Sequence, residues 1–248
     1  MNEGSIESGS LHPKRSEQEM KTLNKMICSA SVMCANLLHL ENDFKSLEAA
    51  GCDELHFDIM DGHFVPNFTL GFDFIKAARG ACSLPCTAHL MITRPDDYIE
   101  RFVEAGCGTI AVHVETCVHL QRTLAEIRRL GASPGIAVNP ATALTKLDYA
   151  LDYVDRVLVM TVDPGYAGQR ILPGAFERVR ILREVIAYRE LRVKIEVDGN
   201  ITVRNAALLS KAGAEIFVLG TGSIFKGTDP GETLRTFRSA VAHEQELV

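Results

Sequence analysis

From residue 26 onward, short apolar runs rich in β-branched residues alternate with longer amphipathic runs. The longer runs, such as NLLHLENDFKSLEAA and CVHLQRTLAEIRRL, repeat their apolar residues with the spacing of a helix. The short runs have the length and composition of buried strands: MICSASVM (26–33), ELHFDIM (54–60), CTAHLMI (86–92), GTIAVHV (108–114), PGIAVN (134–139), DRVLVMTV (155–162), VKIEVD (193–198) and EIFVLG (215–220). The pattern predicts eight strands, each followed by a helix, and the fifth helix, near residues 142–152, has the weakest periodicity.

Several predicted helices end in a glycine that leads straight into the next strand, as in AAGCDEL, EAGCGTI, RLGASPGI and KAGAEIF. Glycine just past a helix end is the usual left-handed stop, and its repetition indicates one unit used many times. Eight β/α units over about 220 residues are what an α/β fold of the single (β/α)8 TIM-barrel type requires. The alternative is a doubly wound open sheet, which favours a G-x-G-x-x-G turn after the first strand, and the sequence lacks one.

The chain of 248 residues shows no change of composition and no long linker after residue 25, which predicts one catalytic barrel domain over 26–248. Residues 1–25 are polar and aperiodic, and we expect a disordered leader. A net charge of -6 without a Lys/Arg-rich run argues against nucleic acid as a partner. No apolar run reaches the roughly 18–20 residues of a membrane span, and no signal peptide is evident, which predicts a cytoplasmic protein. The seven cysteines form no C-x-x-C pair, and we expect them to be reduced and buried.

The second predicted strand places polar residues where a barrel would bury them. In LHFDIMDGH, the period of two turns Leu55, Phe57 and Ile59 to one face and His56 and Asp58 to the other. An unpaired polar group buried in this way costs roughly 2–7 kcal/mol. The second face therefore needs a partner for its imidazole and carboxylate.

Barrel enzymes carry their catalytic groups at the carboxyl ends of the strands. The polar side chains predicted at that end are Ser31, His56, Asp58, His89 and Asp198. Two imidazoles and two carboxylates can hold one divalent ion such as Zn²⁺, Fe²⁺, Mn²⁺ or Co²⁺. The alternative is that each histidine is a hydrogen-bonded core residue. We expect that structural role for His113, one strand further round, and turn hydrogen bonds for Asp61 and His63.

Glycine-rich turns follow the sixth, seventh and eighth predicted strands: Asp163–Gln169 (DPGYAGQ), Asp198–Asn200 (DGN) and Gly220–Ser223 (GTGS). Glycine allows close backbone approach, and backbone amides at such turns bind anions. Barrels often bind a phosphate at the last two of these loops. The sequence therefore predicts a phosphate site beside the metal site.

The segments HFDIMDGHFVPN, AHLM, VMTVDPGYAGQ and EVDGNI, in that order, resemble the ribulose-phosphate 3-epimerase family of (β/α)8 barrels over residues 27–226. The resemblance implies a divalent metal, zinc first, held by His56, Asp58, His89 and Asp198. It implies that Asp58 and Asp198 transfer protons to and from a metal-stabilised enediolate. It further implies substrate contacts from Ser31, His89, Gly165, Tyr166, Ala167, Gly168, Gly199, Asn200, Gly220 and Thr221, and a site lined by Met60, Met91 and Met160. A homo-oligomer, dimer or hexamer, is also implied.

Three segments depart from the usual family pattern. This chain has ASVMCAN where the family usually has PSILSAD, PGYAGQ where it has PGFGGQ, and DGN where it has DGG. The four implied metal ligands are unchanged. The expected reaction is the interconversion of D-ribulose 5-phosphate and D-xylulose 5-phosphate. Because SxMC and MTVDPGxAGQ resemble the allulose-6-phosphate 3-epimerase branch, interconversion of D-allulose 6-phosphate and D-fructose 6-phosphate is the alternative. A metal-dependent hydrolase and a non-catalytic sugar-phosphate binder are more remote alternatives on the same barrel.

Overall fold

The computed structural model describes residues 26–248, and the leader expected at residues 1–25 lies outside the described residues. Eight parallel strands form a closed barrel, as the alternation of the sequence predicts. In chain order the barrel strands are Ile27–Ser31, Glu54–Asp61, Cys86–Met91, Cys107–His113, Ser133–Val138, Arg156–Met160, Lys194–Asp198 and Ile216–Leu219. The first strand pairs with both the second and the eighth, and this pairing closes the ring. The predicted (β/α)8 barrel is confirmed, and the open-sheet alternative is wrong.

The helices surround the barrel on its outer face. Their bounds are Leu40–Ala49, Phe72–Ala81, Ile99–Glu104, Leu120–Arg129, Ala175–Tyr188, Val203–Ala212 and Pro230–Leu247. The outward side chains of the strands pack against them, as Phe57 does against Phe74, with ring centroids 6.3 Å apart. None of the helices within residues 26–248 combines the length and the hydropathy needed to cross a bilayer.

The fifth connection differs from the prediction of an α-helix near residues 142–152. The chain instead forms two 3₁₀ turns, Leu144–Leu147 and Leu151–Tyr153. Leu147, Ala150, Leu151 and Val154 are buried and Leu144 packs against the same core, so the buried positions keep the spacing of one helical face although the backbone forms 3₁₀ turns. Runs of 3₁₀ helix are usually no longer than three or four residues, and both turns have that length.

The glycines predicted to stop helices do so. Gly51, Gly106, Gly131 and Gly213 all have positive φ, between 74° and 116°, at the junctions of helices and strands. Gly213 donates its amide to two carbonyls of the preceding helical turn. A residue with a Cβ is strained in this conformation, so the repeated glycine follows from the repeated unit.

The last helix packs on the first, and Gly231 makes this contact close. Asp229 caps the helix by accepting hydrogen bonds from the amides of Gly231 and Glu232, and its other contact is the hydroxyl of Ser46. A Cβ at Gly231 would lie 2.8 Å from the carbonyl carbon of Ser46, and closer still to the carbonyl oxygen.

We therefore expect Gly231→Ala to lower the free energy of unfolding by about 1–3 kcal/mol, because the two helices must separate to admit the methyl group. Urea unfolding followed by circular dichroism measures the change. Gly80→Ala is the matched control, since a Cβ at Gly80 meets no atom within 4 Å. Equal stability of the two variants would contradict the tight packing.

Candidate metal centre and active site

The four residues predicted to bind a metal lie together at the carboxyl ends of the second, third and seventh barrel strands. One donor atom from each of His56, Asp58, His89 and Asp198 lies within 4.8 Å of the other three. His56 Nε2 is 3.3 Å from Asp58 Oδ1, and His89 Nδ1 is 3.1 Å from the same oxygen. His89 Nδ1 is also 3.8 Å from Asp198 Oδ2. The cluster could hold one metal ion.

Strand register brings these residues together. The period of two places His56 and Asp58 on the same inward face of the second strand, and pairing sets Asp58 opposite His89 on the third. Asp198 is the last residue of the seventh strand. The three strands thus bring the four side chains toward the barrel axis from three directions.

The chemistry of the donors fits a divalent transition metal. His56, His89 and Asp58 are buried, yet neither ring nitrogen of His56 has a well-aligned hydrogen bond among the described residues. Imidazole nitrogens and carboxylate oxygens bind Zn²⁺ at about 2.0–2.2 Å. A cation between His56 Nε2 and the carboxylates of the cluster would explain why this buried nitrogen lacks a good hydrogen bond.

The electrostatics of the two aspartates differ. Burial raises the pKa of Asp58, but the charge of His56 and hydrogen bonds from both histidines outweigh it and lower that pKa below its usual range. Burial and the negative charge of Asp58 together raise the pKa of Asp198 to about 8. A bound divalent cation would lower both pKa values, since it favours the ionised carboxylates.

Behind His56, a buried ionic network runs along the inside of the barrel. His56 Nδ1 lies 3.2 Å from Glu196 Oε1, and Arg156 lies 3.3 Å from Glu196 Oε2. Arg156 also forms a bidentate pair with Glu54, at 2.7 and 3.1 Å. Burial raises the pKa of Glu196, but the charge of Arg156 and the contact with His56 lower it overall, to about 2. Glu196 is therefore an ionised partner for the outer nitrogen of His56.

Behind His89, the partner is a second histidine. His89 Nε2 lies 2.9 Å from His113 Nε2, and the two ring planes are inclined by 25° with centroids 5.0 Å apart. His113 Nδ1 in turn lies 3.0 Å from Glu115 Oε2. His113 is not among the clustered donors, in agreement with its prediction as a structural residue. Asp61 is also structural, since it accepts hydrogen bonds from the amides of His63, Phe64 and Thr93.

A cavity opens above the cluster. Its walls include Asp58 and Asp198 and these further residues predicted for the site: Ser31, Met60, Met91, Met160, Gly165, Tyr166, Ala167, Gly168, Gly199, Asn200, Gly220 and Thr221. His56 and His89 are fully buried and do not line the cavity. Ser31 donates to Asp58 Oδ2 at 2.9 Å, which places a hydroxyl beside one of the two carboxylates.

Residues of all three glycine-rich loops line this cavity. Gly199 has a φ of 115°, and a Cβ there would lie 2.5 Å from Val162. Asn200 follows with a φ of 51°, a conformation that asparagine tolerates better than most residues. The side-chain oxygen and the backbone carbonyl of Asn200 both accept hydrogen bonds from Asn205. These two bonds hold Asn200 at a position that is glycine in the usual family pattern DGG.

The sequence interpretation did not assign a role to several residues near the cavity. Asn67 donates to the carbonyl of Gly165 at 2.9 Å and ties the loop after the second strand to the loop over the cavity. Cys34 lines the cavity next to Ser31. Glu115 lies two residues after His113, and the pattern His-x-Glu at a strand end is the signal that could have indicated it. Asn67 has no comparable local signal, because its partner Gly165 is distant in sequence.

Comparison with known proteins agrees with this geometry. The family model for the ribulose-phosphate 3 epimerase family matches residues 27–225. The chain belongs to the ribulose-phosphate 3-epimerase family. The members of this family are epimerases, which are isomerases that act on carbohydrate phosphates, and the predicted enzyme class is confirmed.

Two curated ribulose-phosphate 3-epimerases illustrate the relationship. The enzyme of Aquifex aeolicus is 41% identical over 213 residues, which cover 86% of this chain and 96% of that protein. The chloroplastic ribulose-5-phosphate 3-epimerase of Arabidopsis thaliana is 38% identical, over 87% of this chain and 77% of that protein. Among solved structures, KGPDC from Streptococcus mutans aligns with a TM-score of 0.66 at 12% identity, over 88% of this chain and 98% of that one. This last similarity supports the barrel fold alone.

Proposed function

We propose that this ribulose-phosphate 3-epimerase homologue interconverts D-ribulose 5-phosphate and D-xylulose 5-phosphate. The observation that carries the proposal is the position of Asp58 and Asp198. Both carboxylates line one cavity, belong to one cluster of donors, and arise from strands on different sides of the barrel axis. A ketose bound between them would expose one face of its carbon 3 to each carboxylate.

The reaction removes a proton from carbon 3 and returns one to the opposite face. One aspartate acts as general base on its face while the other acts as general acid on the other, and the roles exchange in the reverse direction. A divalent cation held by His56, Asp58, His89 and Asp198 would supply Lewis-acid stabilisation of the negative charge that develops on the substrate oxygens. Ser31 holds Asp58 in place through its hydrogen bond.

The phosphate of the substrate binds at the glycine-rich loops in this proposal. The cavity is lined by Gly165–Gly168, Gly199–Asn200 and Gly220–Thr221, whose backbone amides can donate to an anion without a cationic side chain. Met60, Met91 and Met160 form apolar walls beneath the sugar, which exclude water from the carbanion.

The remaining assignments are also proposals. Zinc is the first choice of metal, and Fe²⁺, Mn²⁺ and Co²⁺ suit the same nitrogen and oxygen donors. We propose a cytoplasmic homo-oligomer, dimer or hexamer, that acts on small sugar phosphates without a nucleic-acid partner.

Deuterium labelling tests the reaction. The purified, metal-loaded protein is incubated with D-ribulose 5-phosphate in D₂O, and the products are followed by proton NMR. We expect D-xylulose 5-phosphate with deuterium at carbon 3 and no release of inorganic phosphate. Phosphate release would support the hydrolase alternative, and an unlabelled, unchanged substrate would support the binder.

The substrate is tested by comparing kcat/KM for D-ribulose 5-phosphate and D-allulose 6-phosphate. Cys34 and Tyr166, which differ from the usual family residues, both line the cavity and are the observation that favours the six-carbon alternative. A higher kcat/KM for the pentose phosphate is expected. A preference for D-allulose 6-phosphate would reassign the substrate and leave the reaction type unchanged.

A further inference from the structure

The hydrogen-bond chain behind His89 consists of three residues in series. His89 directs Nδ1 toward Asp58 and Asp198, and its Nε2 lies 2.9 Å from His113 Nε2. His113 Nδ1 lies 3.0 Å from Glu115 Oε2. Both histidines are fully buried, so water cannot substitute for either partner.

The positions of the protons in this chain follow from its two ends. A histidine that binds a metal through Nδ1 must carry its proton on Nε2. His89 Nε2 then donates to His113 Nε2, which must accept, and the proton of His113 must therefore lie on Nδ1. His113 Nδ1 donates in turn to Glu115, whose carboxylate can only accept. Each member thus has one orientation compatible with a metal at the cluster.

We propose that His113 and Glu115 are positioning residues that hold His89 in the tautomer able to bind the metal. The proposal rests on the proposed function only in taking His89 as a metal ligand. The Glu115 carboxylate acts on His89 indirectly. It determines which ring nitrogen of His113 carries the proton, and His113 in turn determines which ring nitrogen of His89 carries one. Outer partners of metal-binding histidines commonly orient the ring and fix its tautomer in this way.

Glu115 is well placed for this role because it is itself held on its other oxygen. The backbone amide of Asn139 donates to Glu115 Oε1 at 2.9 Å. Arg178 holds the carbonyl of Asn139 at 3.0 Å, which fixes the loop that carries this amide. Phe64 packs on His113 with ring centroids 4.7 Å apart and limits rotation of the imidazole.

The two metal-binding histidines are therefore supported in parallel. His56 faces Glu196 directly, whereas His89 reaches Glu115 through an inserted imidazole. Each arrangement ends in a carboxylate that faces a ring nitrogen. Because His113 lies between His89 and Glu115, the tautomer of His89 should respond to a substitution of Glu115 that keeps the shape of the side chain and removes only its ability to accept from His113.

Glu115→Gln is that change. The amide of Asn139 is only a donor, so the oxygen of the new side chain must face Asn139 and its NH₂ group must face His113. The NH₂ group donates to His113 Nδ1 and moves the proton of His113 to Nε2. That proton points at His89 Nε2, which must then accept, and the remaining proton of His89 faces the cluster and opposes the metal.

We expect Glu115→Gln to weaken Zn²⁺ binding by about 10- to 100-fold, measured by competition with a chromogenic chelator. Long-range proton–nitrogen NMR of the ¹⁵N-labelled, metal-free chain should show His113 protonated on Nδ1 in the parent and on Nε2 in the variant. Glu115→Asp keeps an acceptor, so its Zn²⁺ affinity should lie closer to the parent than that of Glu115→Gln, although glutamine matches glutamate better in shape.

Glu215→Gln is the matched control. Glu215 has a side-chain exposure of 20%, close to the 18% of Glu115, and lies near Arg183 at the start of the eighth barrel strand. Its change should leave Zn²⁺ affinity unaltered. His113→Phe removes the acceptor for His89 altogether. When its thermal unfolding temperature equals that of the parent, this variant should weaken Zn²⁺ binding at least as much as Glu115→Gln does.

Parent-like Zn²⁺ affinity in Glu115→Gln would overturn the proposal, as would an unchanged His113 tautomer. Neither readout uses a sugar phosphate. A chain that binds Zn²⁺ as expected but epimerises nothing would contradict the proposed function and leave the role of His113 and Glu115 intact.

Discussion

Asp198→Asn should lower kcat for epimerisation by about 10³-fold or more, because an amide neither removes nor returns the proton at carbon 3. Asparagine has nearly the shape of aspartate, and Asp198 sits at the end of a strand whose other inward residue, Glu196, remains in place. The loss should therefore be chemical, with a thermal unfolding temperature near that of the parent. The measurement is kcat at saturating substrate, with metal content determined in the same preparation.

The variant also tests whether two carboxylates transfer the proton, one on each face of carbon 3. Asp58 remains and can still exchange the proton on its own face of the substrate. In D₂O, we expect one of the two epimers to take up deuterium at carbon 3 without inversion, and the other to stay unlabelled. Asp73→Asn, on the exposed surface of a helix, makes the same chemical change and should leave kcat unaltered. A kcat within a few-fold of the parent in Asp198→Asn would remove this residue from the mechanism.

Removing the metal should abolish turnover and lower the thermal unfolding temperature together. Without a cation, the buried carboxylates and imidazoles of the cluster face one another with no common partner. A ligand present at about 100 times its Kd contributes about 2.7 kcal/mol to the stability of the folded chain. Dialysis against a strong chelator, followed by unfolding and turnover measurements, tests both effects.

Restoring single metals provides the control. Zn²⁺, Mn²⁺, Co²⁺ and Fe²⁺ suit mixed nitrogen and oxygen donors and should restore turnover to different extents. Mg²⁺ prefers six oxygen donors and should not restore it. Full turnover by a chain shown to be free of metal would contradict the role assigned to the cluster.

The sequence predicted the barrel and the cluster because both depend on short periodic signals. The alternation in LHFDIM sets the inward face, and the glycines after the helices mark the repeated unit. The prediction of an α-helix for the fifth connection was wrong, because its buried residues have helical spacing and the spacing of so few residues does not distinguish an α-helix from two successive 3₁₀ turns.

The features that the sequence left unassigned depend on contacts between distant segments. His113 was expected to be structural, and its position between His89 and Glu115 becomes visible only when two neighbouring strands are in register. Asn67 is 98 residues from its partner Gly165. Asn200 was expected to contact the substrate, and its hydrogen bond from the side chain of Asn205 is a contact that the sequence did not indicate.

The seam of the barrel, where the first strand meets the eighth, has a consequence for synthesis of the chain. Ile27–Ser31 pairs with Ile216–Leu219, so the ribosome must make nearly the whole polypeptide before the ring can close. Nascent chains therefore carry an open sheet edge until late in translation. Unpaired strands of this kind are prone to association with other chains. Asp198, in the seventh strand, also emerges late, so the four residues of the proposed metal site come together only after the seventh strand has been made.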